Sequence, residues 1–190
     1  QLEGKSGAYA LIKKIDILTS GQTISSVDNY NVLHSCFVDT DTSIQYGAQV
    51  GAVLFGAGGA TEAAVGQTIA NGANASFVLP FVMNCLANSK KYIPLFSRDN
   101  ITIKVQLESA LLGTLGAANN AEIAINTPEL IYNVVELDAA AFAAVSGSVD
   151  DKFEIVADDY RHTSSTITAA ASQTHVANLG FAFSSLNRVI

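Results

Sequence analysis

The chain has 190 residues, 49% of them hydrophobic and 14% charged, with 14 Gly and 3 Pro, a composition that belongs to compact globular proteins and excludes general disorder. A net charge of −7, with 10 scattered Lys and Arg residues, argues against a domain built to grip phosphate backbones, which needs clustered cations to displace counterions. Cys36 and Cys85 are too few and too far apart for a disulfide framework and are expected as buried free thiols. No uncharged run reads as a membrane span, and no basic-then-apolar leader opens the chain. Because the sequence starts at Gln1 and stops at Ile190 in an apolar stretch, it is expected to be part of a longer chain.

Leu11, Ile12, Ile15, Ile17 and Leu18 predict a strand closed by a turn at Ser20-Gly21, with Gln22-Thr23-Ile24 starting the return. Ser25 to Asp28 offers N-cap oxygens, and Val27, Tyr30, Leu33, His34 and Phe37 recur with helical spacing, so a short helix is expected to about Val38. Asp39 to Ser76, rich in small residues, reads as a long irregular excursion between strands. Phe77 to Leu86 is mostly apolar and interrupted by Pro80.

The clearest strand is Ile101 to Glu108. Ile101, Ile103, Val105 and Leu107 alternate with Thr102, Lys104, Gln106 and Glu108, which predicts an antiparallel strand with four aliphatics on a core. Gly113 to Asn120 is read as a linker, and Ile123 to Ile125 and Leu130 to Leu137 as strands. Asp138 is expected to cap a helix over Ala139 to Val145 that Gly147 stops. Phe153 to Val156 is a further strand candidate, Thr163 to Gln173 a loop, and Leu179, Phe181 and Phe183 alternate towards the C-terminus. Most regular structure is therefore expected to be β.

Gly56-Ala57-Gly58-Gly59-Ala60-Thr61, between Val53-Leu54-Phe55 and Glu62-Ala63-Ala64-Val65, could form the strand, glycine turn and helix of a dinucleotide phosphate site. This stretch looks like the glycine loop of shikimate dehydrogenases, which implies NADP held at Gly56, Gly58 and Gly59. Thr61 replaces the usual Gly or Ala, and the next strand ends in Pro80-Phe81 without an Asp, Glu or Arg for the ribose. A glycine-rich capping loop is the competing reading. His34 lies on an apolar helical face and is expected to be a satisfied, partly buried side chain. Asp158 to His162, with His175, lacks paired metal-ligand spacing and reads as a solvated strand edge. Neither a Gly-x-Ser-x-Gly elbow nor a catalytic Cys signature is present.

Taken in order, the β segments resemble the major capsid proteins of double jelly-roll DNA viruses. Ile12 to Ile17, Ser20 to Ile24, and Val27 to Leu33 with its Tyr30-Asn31 pair look like the middle of that family's first roll. Lys91-Tyr92-Ile93-Pro94-Leu95-Phe96 and Ile101 to Glu108 look like its closing stretch, and Ile123 to Leu137 resembles the opening of the second roll. Tyr160-Arg161-His162 and Phe183 to Leu186 are similar to the next strands of that roll.

The resemblance implies an all-β fold of antiparallel jelly-roll sandwiches with short inserted helices. Residues 1–112 would form most of a first roll lacking its first strands, 113–120 the linker, and 121–190 the beginning of a second. It further implies a non-enzymatic capsid subunit without cofactor or metal. Such a subunit forms homotrimeric capsomers of pseudo-hexagonal outline and meets neighbouring capsomers and vertex or minor capsid proteins, with no direct nucleic-acid binding and with an internal membrane as one arrangement beneath the shell. Tyr30, Asn31, Tyr92, Pro94, Leu95, Ile101, Ile103, Val105 and Leu107 would be structural, and residues 47–76 would lie on the trimer's outer or contact surface. A third reading, a ligand- or carbohydrate-binding β-sandwich, uses the same sheets.

Overall fold

The structure, a computed structural model, describes residues 2, 4–43, 45–58, 66–87, 92–94, 100–109, 123–148, 156–166, 174 and 176. The expected linker at 113–120, most of the strand at 153–156 and the alternation at 179–183 lie outside these residues.

After a 3-10 turn at Ala8–Leu11 the chain enters strand β1, Ile12–Thr19. Ser20 (φ 47°) and Gly21 (φ 78°) both adopt positive φ and pass directly into β2, Gln22–Asp28, with Thr19 facing Gln22. Two positive-φ residues make the primed turn whose twist matches that of the strands it joins, so the hairpin predicted at Ser20-Gly21 forms there. The third strand, β3, Ile101–Leu107, pairs with the other side of β1, giving an antiparallel sheet in the order β2-β1-β3. This is a small three-stranded antiparallel sheet with a few short helices, compatible with a β-rich fold, although among the described residues more are helical than extended.

Register explains the apolar pattern of β1. Opposite β3, Ile12 faces Leu107 and Lys14 faces Gln106, so Lys13 is an extra, bulged residue. The bulge shifts the side-chain alternation by one, and Ile12, Ile15 and Ile17 all reach the buried face. A second irregularity leaves Ile24 unpaired between Thr23 and Ser25, and Ile24 is exposed. On the other face Lys14 meets both Asp16 and Asp28 at 3.3 Å, and those two carboxylates raise the Lys14 ammonium above its ordinary range.

The helix expected from Ser25 begins later. Residues 25–28 finish β2, and α1 spans Tyr30–Asp41 with Asn29 in a left-handed conformation at its N-terminus, making no side-chain cap bond. Pairing with β1 supplies ladder bonds that an isolated helix start cannot match, so Val27 packs in the sheet's core face instead. The 39–76 segment is also not merely an irregular excursion. A π-helical turn, Tyr46–Gly51, runs into the short helix α2, Ala52–Leu54, and delivers Phe55, Gly56 and Ala57 to the interior.

The core lies between the apolar face of the hairpin, α1, the 3-10 turn and Phe55, with Leu79, Phe81, Val82 and Met83 closing one side. Helix α3, Ala139–Ser148, begins where expected: Asp138 Oδ1 accepts the Ala141 N–H at 2.7 Å. It runs through Gly147 instead of stopping before it. Residues 123–138 carry no strand and are exposed throughout, in contrast to the two strands expected there. β3 likewise departs from its expected burial, since Ile101 and Ile103 are half-buried while Val105 and Leu107 are exposed.

Candidate functional site

The most densely organised group is a buried aromatic cluster. The chain brings Tyr9 from the 3-10 turn, Tyr30 and His34 from α1, and Phe55 from the end of α2 into one contact set. Tyr9 stacks on His34 with ring centroids 3.8 Å apart, and Phe55 meets His34 edge-on at 5.4 Å. Tyr30 and His34 fall on one face because four residues separate them on a helix. The Tyr9 hydroxyl donates to the Pro80 carbonyl, and the Tyr30 hydroxyl accepts the Val82 N–H at 3.4 Å, so two phenol tips hold the 80–83 segment over the core.

A polar thread crosses this apolar setting. His34 Nδ1 lies 3.1 Å from Ser6 Oγ, Ser6 Oγ lies 2.7 Å from Ser35 Oγ, and Ser35 Oγ donates to the Asn31 carbonyl at 3.2 Å. Burial pushes the His34 imidazole down to about 4, and burial raises both tyrosines above the ordinary phenol range. A Ser beside a His has the composition of a nucleophile and base, but Ser6 is 0% and His34 1% exposed, so no substrate reaches the pair. Its role is to satisfy polar groups within the core.

A second constellation lines the outer edge of β2. Ser25 Oγ donates to Asp159 Oδ1 at 2.7 Å, Asp159 pairs with Arg161 at 3.0 Å, and Asn29 contacts the His162 ring at 3.1 Å. Cys85 adjoins Ser25, and burial raises its thiol. The expected solvated strand edge at Asp158 to His162 is thus a non-strand segment tied to β2 by side chains. Cys36 and Cys85 are half-buried free thiols. Among the described residues no group of three or more His, Cys, Asp or Glu could hold a metal ion, and His175 lies outside them.

The glycine loop takes a form different from the strand, turn and helix considered for a dinucleotide. Residues 52–54 are helical instead of extended, and Gly56 is buried beneath Phe77 and Leu2. The Ala57 N–H donates to Gly51 O at 3.1 Å and the Gly58 N–H to Gly4 O at 2.7 Å, so two backbone donors near the turn are already engaged. Gly58 itself is exposed, and Gly59 to Val65 lie outside the described residues.

Of the residues assigned structural roles, Tyr30 is fully buried and Asn31 half-buried, with Asn31 Oδ1 accepting the Val32 N–H at 2.9 Å. Tyr92 is exposed and Pro94 half-buried, residues 92–94 forming no strand, while Leu95 lies outside the described residues. Sequence reasoning missed Tyr9, Ser6 and Phe55, since none stands in a periodic pattern; the only available signal was their aromatic or small character beside Gly7 and Gly56. Comparison of the chain with protein-family models, curated proteins and solved structures finds no match.

Proposed function

We propose that the chain is a structural subunit of a virus capsid, part of a double jelly-roll major capsid protein that acts in the virion without catalysis or cofactor. One observation carries this reading: β1 and β3, which hold two of the segments resembling that family, pair antiparallel although Asp28 and Ile101 bound a long excursion between β2 and β3. Closure of a sheet by a strand that returns from far along the sequence is a habit of Greek-key and jelly-roll sandwiches. A charged fraction of only 14% also suits a subunit that buries surface against its neighbours. The subunits would assemble inside the host cell as homotrimers and meet neighbouring capsomers and vertex or minor capsid proteins, with an internal membrane as one arrangement beneath the shell.

Sizing and negative-stain microscopy of the purified full-length protein, with NADP and glycan binding measured in parallel, test the reading. Trimers with a hexagonal outline and no nucleotide binding are expected. A monomer that binds NADP, with binding lost on substitution at Gly56 or Gly58, overturns the capsid reading in favour of an oxidoreductase. A monomer that binds glycans overturns it in favour of a ligand-binding sandwich.

A further inference from the structure

Strand β3 is paired on one side only: β1 occupies one edge, and no backbone hydrogen bond engages the other among the described residues. The apolar side of that strand is incompletely covered, with Val105 47% and Leu107 43% exposed. An unpaired edge with apolar side chains is a template for another strand. The same chain carries an unmatched strand sequence. Residues 130–137 are rich in Ile, Val, Leu and Tyr, form no hydrogen bond to any described residue, and leave Ile131 82% and Tyr132 69% exposed.

The two features fit each other. Residues 129–137 hold Glu129 and Glu136 and no cation, whereas the only charge on β3 is Lys104. Antiparallel pairing with Glu136 opposite Lys104 sets Val135 beside Val105 and Leu137 beside Ile103, continuing the apolar face of the sheet. Among the described residues no strand pairs with the outer edge of β3 or with residues 130–137, and both carry exposed apolar side chains. We propose that residues 130–137 of one copy add as a strand to the free edge of β3 in a second copy, linking identical chains head to tail. The inference rests on strand pairing alone and does not need the capsid assignment. A head-to-tail contact closes into a ring when its rotation permits.

Sedimentation and light scattering of the full chain and its variants test it. The wild-type chain should have a mass of two or more 19.8 kDa units. Val134→Pro with Val135→Pro should shift it to a monomer while far-UV circular dichroism of the core is kept, because that segment makes no hydrogen bond to the described residues of its own copy. Lys104→Glu and Glu136→Lys should each weaken association, and the two together should restore it. A monomeric wild-type chain overturns the proposal, as does a double-proline variant of wild-type mass or a charge-reversed pair without rescue. A double-proline variant that still forms shells would overturn strand addition and leave the capsid reading standing.

Discussion

Gly7 has φ +52°, and a Cβ built there would lie 2.1 Å from the Phe55 carbonyl oxygen and 2.8 Å from the Ala57 nitrogen. These neighbours are backbone atoms fixed by the Ala8 N–H, which donates to that same Phe55 oxygen at 2.7 Å, so they cannot swing aside as a side-chain tip would. Gly21 has φ +78° and nothing within 4 Å of the corresponding position. Gly7→Ala should therefore cost more than the roughly 1–3 kcal/mol of backbone strain alone, while Gly21→Ala should cost about 1 kcal/mol. Urea unfolding midpoints measure both; equal shifts would mean that the approach of residue 7 to Phe55 and Ala57 is not held in solution. Gly21 was legible as a turn residue from its place after a β-branched run. Gly7 was not, because its constraint comes from residues about fifty positions away.

At the scale of elements, alternation located β3 correctly but misjudged how its apolar face is covered. The period of two says which side chains share a face, and Ile101, Ile103, Val105 and Leu107 do share one. Whether that face is covered depends on what packs over it, and the covering elements lie over β1 and β2 instead. The energetic weight falls accordingly on Ile15 and Ile17, each 1% exposed. Ile15→Ala should destabilise by about 2–5 kcal/mol and Val105→Ala by about 1 kcal/mol or less in a monomeric background such as the double-proline variant. Chemical denaturation of the two variants checks this, and comparable losses would mean that Val105 is covered in the folded monomer. The helix ends divide in the same way. Asp138 worked as a cap because its side chain reaches a backbone N–H three residues on, whereas Ser25 was drawn into the ladder with β1.

For the molecule as a whole, His34 couples the 3-10 turn, α1 and the end of α2, so its protonation state bears on global stability. Its folded-state value of about 4 is depressed below the ordinary 6.5 because burial strips water from the ring and disfavours its charged form. The unfolded chain then binds the proton more readily. This contribution is fully present above pH 6.5, is lost progressively as pH falls towards 4, and amounts to on the order of 3 kcal/mol. His34→Phe keeps an aromatic ring against Tyr9 and removes the titration. Its unfolding free energy should lose about one proton's worth of slope between pH 6.5 and 4 relative to the wild type. Parallel slopes in that interval would show that His34 titrates alike in both states.

The amino-acid sequence by itself determined the Ser20-Gly21 hairpin, the existence of β3 and the Asp138 cap. Each depends on residues within one turn or one strand of each other, where sterics, alternation and side-chain reach act over a few bonds. Only the tertiary structure decided that Phe55 and Tyr9 enclose His34, that Gly56 and Ala57 enter the core behind a helical turn, and that residues 130–137 stand exposed. Those outcomes depend on which distant segments meet, and burial is a property of the meeting rather than of either partner.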